Sequence, residues 1–95
     1  MKYQWNLKYA ESALKQLKKL SKKNPKLVEM ILNYLDETAK LDDPRSRGKA
    51  LTSNFAGFWR YRVGDFRIIC AIDNGELVIT AVNIDHRSKV YNIKK

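Results

Sequence analysis

The chain is poor in the residues that build metal centres, disulfides and nucleophilic sites. Among its 95 residues stand one cysteine, Cys70, and one histidine, His86. A lone cysteine excludes an internal disulfide, and together the two supply no cluster of metal ligands. No metal and no cofactor are expected. Cys70 sits inside an apolar strand, where a buried structural thiol is the expected role. No apolar run nears the roughly 20 residues that a spanning helix needs. The N-terminus, Met1-Lys2-Tyr3-Gln4-Trp5, lacks the apolar stretch of a signal peptide. No membrane partner is expected, and these absences together point to a reducing cytoplasm. Acids are scarce as well: ten Asp and Glu against nineteen Lys and Arg give a formal net charge of +9. That surplus fits a polyanionic partner such as nucleic acid, a ribosome or an acidic protein, or simply a soluble basic protein.

What is present suffices for one domain, residues 1–95, since 44% of the residues are hydrophobic. A chain this long buries roughly 60–65% of its unfolded surface. Residues 3–6 fit a short first strand. Leu7, Ala10, Leu14 and Leu17 then recur at helical spacing, so residues 8–22 read as an amphipathic helix with lysines on its other face. Asn24-Pro25 reads as an N-cap followed by proline at the first helical position. Leu27, Met30, Ile31, Tyr34, Leu35 and Thr38 carry a second apolar stripe to about residue 40. The short connection makes the two helices an αα-hairpin. Asp42-Asp43-Pro44 ends the second helix. Residues 45–57 read as a basic loop holding Arg45, Arg47 and Lys49, with Leu51 and Phe55 as anchors.

Three strands follow, over residues 58–63, 66–73 and 76–84. Gly64-Asp65 suits a type II′ turn, and Asn74-Gly75 is a strong two-residue hairpin signal. Two such turns set a register, and the register sorts the side chains. Arg62 then faces Arg67, and Arg67 faces Val82. One face gathers Trp59, Tyr61, Val63, Phe66, Ile68, Cys70, Ile72, Leu77, Ile79 and Ala81, which the helices should cover. The opposite face gathers Arg60, Arg62, Arg67, Ile69, Ala71, Val78, Thr80, Val82 and Ile84, and continued alternation brings His86 to it. Like charges directly opposite in a sheet oppose folding, which suggests an absent anion. Arginine binds phosphate through a planar fork of donors. Acids from the loop or tail, Asp65 and Asp85 above all, are the competing partners.

This order of parts resembles the RelE/ParE superfamily of bacterial toxins, specifically the RelE-like messenger-RNA endonucleases. The resemblance spans nearly the whole chain. It runs from strand, helix, helix through Asp43-Pro44-Arg45 and Lys49-Ala50-Leu51 to the run from Trp59 to Ile69, and closes on His86-Arg87-Ser88-Lys89-Val90-Tyr91. It implies an α+β fold, with two helices on one face of a small, mostly antiparallel β-sheet. It implies a toxin of a type II toxin–antitoxin system that cuts mRNA in the ribosomal decoding site without a metal, by attack of the ribose 2′-hydroxyl on the scissile phosphate. It also implies a cognate acidic antitoxin as partner, with no direct DNA binding by this chain. Carried over residue by residue, Arg60 and Arg62 match basic strand positions that some relatives fill with lysine. Arg67 matches an arginine at the scissile phosphate, His86 and Arg87 a basic pair near the tail, and Tyr91 a tyrosine that orients the cut nucleotide. Arg45, Arg47, Lys49 and Lys89 are expected to contact mRNA or ribosomal RNA. Arginine is a poor proton acceptor, so the proton-transfer role is expected of His86. The ParE branch, which poisons DNA gyrase, and a non-catalytic RNA-binding module are the alternatives.

Overall fold

The computed structural model describes residues 5–51 and 57–86. The chain enters through strand β1 (Asn6–Tyr9) and passes into helix α1 (Glu11–Lys23), both starting about three residues later than the apolar spacing suggests. Asn24 ends α1 and caps helix α2 (Pro25–Ala39): its Oδ1 accepts the Leu27 N–H at 3.2 Å, and Pro25 fills the first helical position. A one-residue link makes the two helices an αα-hairpin, as expected. Their buried stripes are shifted, however. Ala13 and Leu17 of α1 and Ile31 and Leu35 of α2 are buried, whereas Leu14 and Met30 are each 51% exposed. Each of these two follows or precedes a buried residue by one step, about 100° around the helix, and so leaves the stripe. Among the described residues no helix is long and apolar enough to cross a membrane.

The loop after α2 is held by the polar tips of aromatic residues. Tyr61 Oη donates to Pro44 O and Trp59 Nε1 to Arg47 O, each at 2.7 Å, and Trp5 Nε1 donates to Asp42 O at 3.4 Å. A two-residue strand, β2 (Lys49–Ala50), interrupts the stretch expected to be loop. It pairs with β3 (Phe58–Val63), Lys49 opposite Arg60. Gly48 makes this approach possible. Its φ is +80°, and an added Cβ would lie 2.4 Å from the Arg60 carbonyl oxygen. The expected anchor Phe55 lies outside the described residues.

Strands β4 (Phe66–Asp73) and β5 (Val78–His86) complete a five-stranded sheet of order β1-β5-β4-β3-β2, in which only β1 runs parallel to its neighbour. The first hairpin has the expected register, with Val63 opposite Phe66 and Arg62 opposite Arg67. Gly64 takes φ +59°, as the first central residue of a type II′ turn requires.

The second hairpin differs. Asp73 pairs with Val78 across a four-residue turn, so β5 begins two residues late. Asp73 Oδ1 accepts the N–H groups of Gly75 (2.9 Å) and Glu76 (3.2 Å). This Asx-type capture outcompetes the two-residue Asn-Gly turn, and Leu77, not Gly75, takes the left-handed φ of 55°. A β-bulge follows: Cys70 pairs with Ala81 but Ile69 with Asn83, which leaves Val82 as the extra residue. Arg67 therefore faces Asp85, not Val82, and past the bulge every β5 side chain changes face. Ile84, expected on the outer face, is 3% exposed within the core.

Contacts from α1 explain where the ladder breaks. β1 pairs with β5 only as far as Ala81. Beyond that point Ser12 Oγ donates to Val82 O (2.7 Å), Gln16 Oε1 accepts the Ile84 N–H (2.6 Å) and Gln16 Nε2 donates to Asn83 Oδ1 (2.7 Å). Helix side chains thus satisfy an edge that no strand among the described residues covers. The core lies between the helices and one sheet face: Ala13, Leu17, Ile31 and Leu35 meet Tyr61, Ile68, Cys70, Ile79 and Ile84. Burial pushes the Cys70 thiol up to about 12, so it is an inert packing group, as expected. Burial also raises the Tyr61 phenol above its ordinary value.

Candidate nucleic-acid interface

The strand register assembles a cationic surface on the sheet face turned away from the helices. Paired residues share a face, so one row across the sheet reads Lys49, Arg60, Ile69, Asn83 and the next reads Arg62, Arg67, Asp85. Three strands thus contribute Lys49, Arg60, Arg62 and Arg67 to one surface. Directly paired positions hold their Cβ atoms about 4.5–5.5 Å apart, so Arg62 and Arg67 start close together. Lys49 and Arg62 are exposed, and Arg60 and Arg67 are partly buried. Arg62 Nε makes a long bond of 3.4 Å to the Gly64 carbonyl, back into its own turn. Forked donors on neighbouring strands suit the oxygens of a phosphodiester.

Three of the expected site residues stand elsewhere. His86 is across from Phe66 on the helix side, with ring centroids 5.5 Å apart at 84°, and borders a groove with Lys19, Leu20 and Lys23. The bulge at Val82 is the cause, so the expectation that His86 joins the arginine face is corrected. Arg47 lies over the Tyr34 ring, 4.7 Å from its centroid, and donates to Thr38 Oγ1 at 3.3 Å. Arg45 donates to Asn74 Oδ1 at 2.8 Å and lies 5.9 Å from the centroid of the Trp59 ring. Both loop arginines fasten the 44–47 turn to the helices and the far hairpin, which is a structural use. Lys49 alone of the three loop cations joins the outer face. Arg87, Lys89 and Tyr91 lie outside the described residues.

The competing reading of the arginines, that nearby acids face them, is met at one position. Asp85 stands directly opposite Arg67, and its Oδ1 accepts the backbone N–H of His86 at 2.8 Å. Periodicity alone missed this placement, because it depends on a bulge set by contacts from α1. The Ser12 and Gln16 side chains are the signal, and they become readable only once the helix is docked.

A model of the ParE toxins of type II toxin–antitoxin systems, parDE, matches residues 7–91. The chain belongs to this family. The toxin is also similar in fold to solved structures across the wider RelE/ParE superfamily. It matches the toxin–antitoxin complex RelBE2 of Mycobacterium tuberculosis at 22% identity and TM-score 0.77, covering 90% of this chain and 93% of that one. It matches a free-state mutant of Escherichia coli RelE at 19% identity and TM-score 0.72, covering 95% and 93%. It matches the archaeal RelE–RelB complex of Pyrococcus horikoshii at 21% identity and TM-score 0.66, covering 93% and 100%. No curated protein sequence matches the toxin. The expected α+β architecture, two helices with a mostly antiparallel sheet, is that of these structures.

Proposed function

We propose that the toxin is a ribosome-dependent endoribonuclease whose outer sheet face grips the mRNA backbone. The observation that supports this most is the cross-strand pair Arg62 and Arg67, flanked by Arg60 and Lys49, on the face the helices leave uncovered. The reaction is transfer of the scissile phosphoryl bond from the 5′-oxygen to the neighbouring 2′-oxygen. It leaves a 2′,3′-cyclic phosphate and a 5′-hydroxyl. The arginines would neutralise the charge that develops on the nonbridging oxygens and hold the 2′-oxygen in line. Always protonated, they do not take the 2′-proton. His86, turned to the helix side, is left out of this site. Arg87 and Tyr91 keep the roles that family resemblance gives them; the 2′-proton would pass to a base, and the 5′-oxygen would take a proton from an acid, contributed by solvent or ribosomal RNA at the decoding site.

The family description favours a second reading, poisoning of DNA gyrase without nuclease activity. A primer-extension map of cellular mRNA after brief expression separates the two. Codon-positioned cuts that disappear in Arg67→Ala support the nuclease. Intact mRNA with DNA damage supports the gyrase poison.

The physiological inhibitor we propose is an acidic antitoxin encoded beside the toxin. The related M. tuberculosis and P. horikoshii structures are complexes with antitoxins, and a formal charge of +9 on this chain suits an acidic partner. Co-expression with the neighbouring reading frame should yield a stable complex, and isolation of the toxin alone would count against it.

A further inference from the structure

We infer that Asp85 is a counter-charge built into the cationic face, and that it limits how tightly generic polyanions bind there. The inference rests on reading that face as the phosphate-binding surface. Its basis is the bulge at Val82. Without the extra residue, strand alternation would set His86 on the arginine face and Asp85 toward the helices. With it, Asp85 is the direct cross-strand partner of Arg67, and His86 is opposite Phe66. Bulges commonly re-aim a side chain beside a functional surface. This one is held by three hydrogen bonds from α1: Ser12 to Val82 O, and Gln16 to the Ile84 N–H and to Asn83 Oδ1. The placement of the carboxylate is therefore fixed by tertiary structure.

The carboxylate is also fixed in orientation. Oδ1 accepts the His86 N–H at 2.8 Å, which anchors one oxygen to the strand it stands on. Its cross-strand position sets one negative charge against the Lys49, Arg60, Arg62, Arg67 set, directly opposite Arg67, whose Nε is buried. An RNA phosphate at Arg67 must compete with the carboxylate on the facing strand position. A loosely held polyanion, which relies on summed charge, loses most from this competition. A backbone docked in one geometry, with forked bonds from several arginines, loses least. Asp85 is thus a specificity-determining residue that acts through Arg67.

The test is a double-mutant cycle on binding of a fluorescein-labelled ten-nucleotide uridylate, with Asp85→Asn as the isosteric change. Its amide oxygen can still accept the His86 N–H, so the strand end is preserved. In the wild-type background Asp85→Asn should tighten binding roughly tenfold at low salt, less as salt rises, and Asp85→Glu should restore wild-type affinity. In an Arg67→Ala background the tightening should vanish. Arg67→Gln, which also removes the charge, takes its place if the alanine variant does not fold. Unchanged or weaker binding in Asp85→Asn, or equal tightening in both backgrounds, overturns the inference. If Arg67→Ala itself binds the oligonucleotide like wild type, the phosphate-binding reading of the face fails instead, and the two failures are distinguishable.

Discussion

The two faces of the sheet obey opposite rules. On the helix side Tyr61, Ile68, Cys70, Ile79 and Ala81 are fully buried, and polar tips such as the Tyr61 hydroxyl find carbonyl partners. Every choice there favours folding. On the outer side two arginines face each other across a hairpin, next to a third arginine and a lysine. That arrangement opposes folding and is the reason for proposing an anionic ligand there. Adjacent residues carry the contrast: Ile68 belongs to the core and Arg67 to the site, one step apart on β4.

The difference can be broken most forcefully from the core side. Ile68→Ala should cost about 2–5 kcal/mol in urea unfolding, because a fully buried side chain leaves a cavity. A loss below 1 kcal/mol would mean the helix-covered face is looser than described. Gly48→Ala should cost about 3 kcal/mol or more, since its Cβ would meet the Arg60 carbonyl at a left-handed φ. The melt of this variant should also report loss of β2, the strand that carries Lys49 to the outer face.

The buried face further predicts sensitivity to alkali. Desolvation raises the Cys70 thiol from 9.0 to about 12 and, with smaller help from Asp36, the Tyr9 phenol from 10.0 to about 12. Both groups are neutral when protonated, so the folded chain holds these protons more tightly than the unfolded chain. Their contribution is complete below about pH 9 and is lost as pH rises toward 12. Cys70 alone should remove about 2 kcal/mol by about pH 10.5. A urea midpoint that stays flat from pH 8 to 10.5 would contradict this. Gln16→Ala, at the seam between the faces, should cost about 1–2 kcal/mol by orphaning the Ile84 N–H and one Asn83 bond. Hydrogen exchange at Ile84 should accelerate in the same variant.

The same contrast explains what was legible in the sequence. The helices, their link at Asn24-Pro25 and the first hairpin follow from local chemistry: an N-cap, an N1 proline, and a glycine at the first turn position. The arginine pair was legible because only two turn residues separate its strands. The second hairpin was not, because the Asp73 side chain captured the turn and displaced β5 by two residues. The sheet position of His86 was not legible either. It depends on a bulge stabilised by Ser12 and Gln16, residues distant in sequence, and no periodicity encodes that contact. Arg45 and Arg47 are expected from their place in the basic loop to contact RNA. Their bonds to Asn74 and Thr38 and their packing over aromatic rings appear only in three dimensions.

On the proposed function, the outer face stays cationic for an RNA backbone at the expense of the fold. Arg62→Gln, measured side by side for urea stability and for cleavage of ribosome-bound mRNA, addresses it most directly. The expected result is stability unchanged or raised by up to about 1 kcal/mol, with cleavage reduced by about a hundredfold or more. Cleavage at the wild-type rate, or a loss of stability large enough to account for the lost activity, would contradict the account.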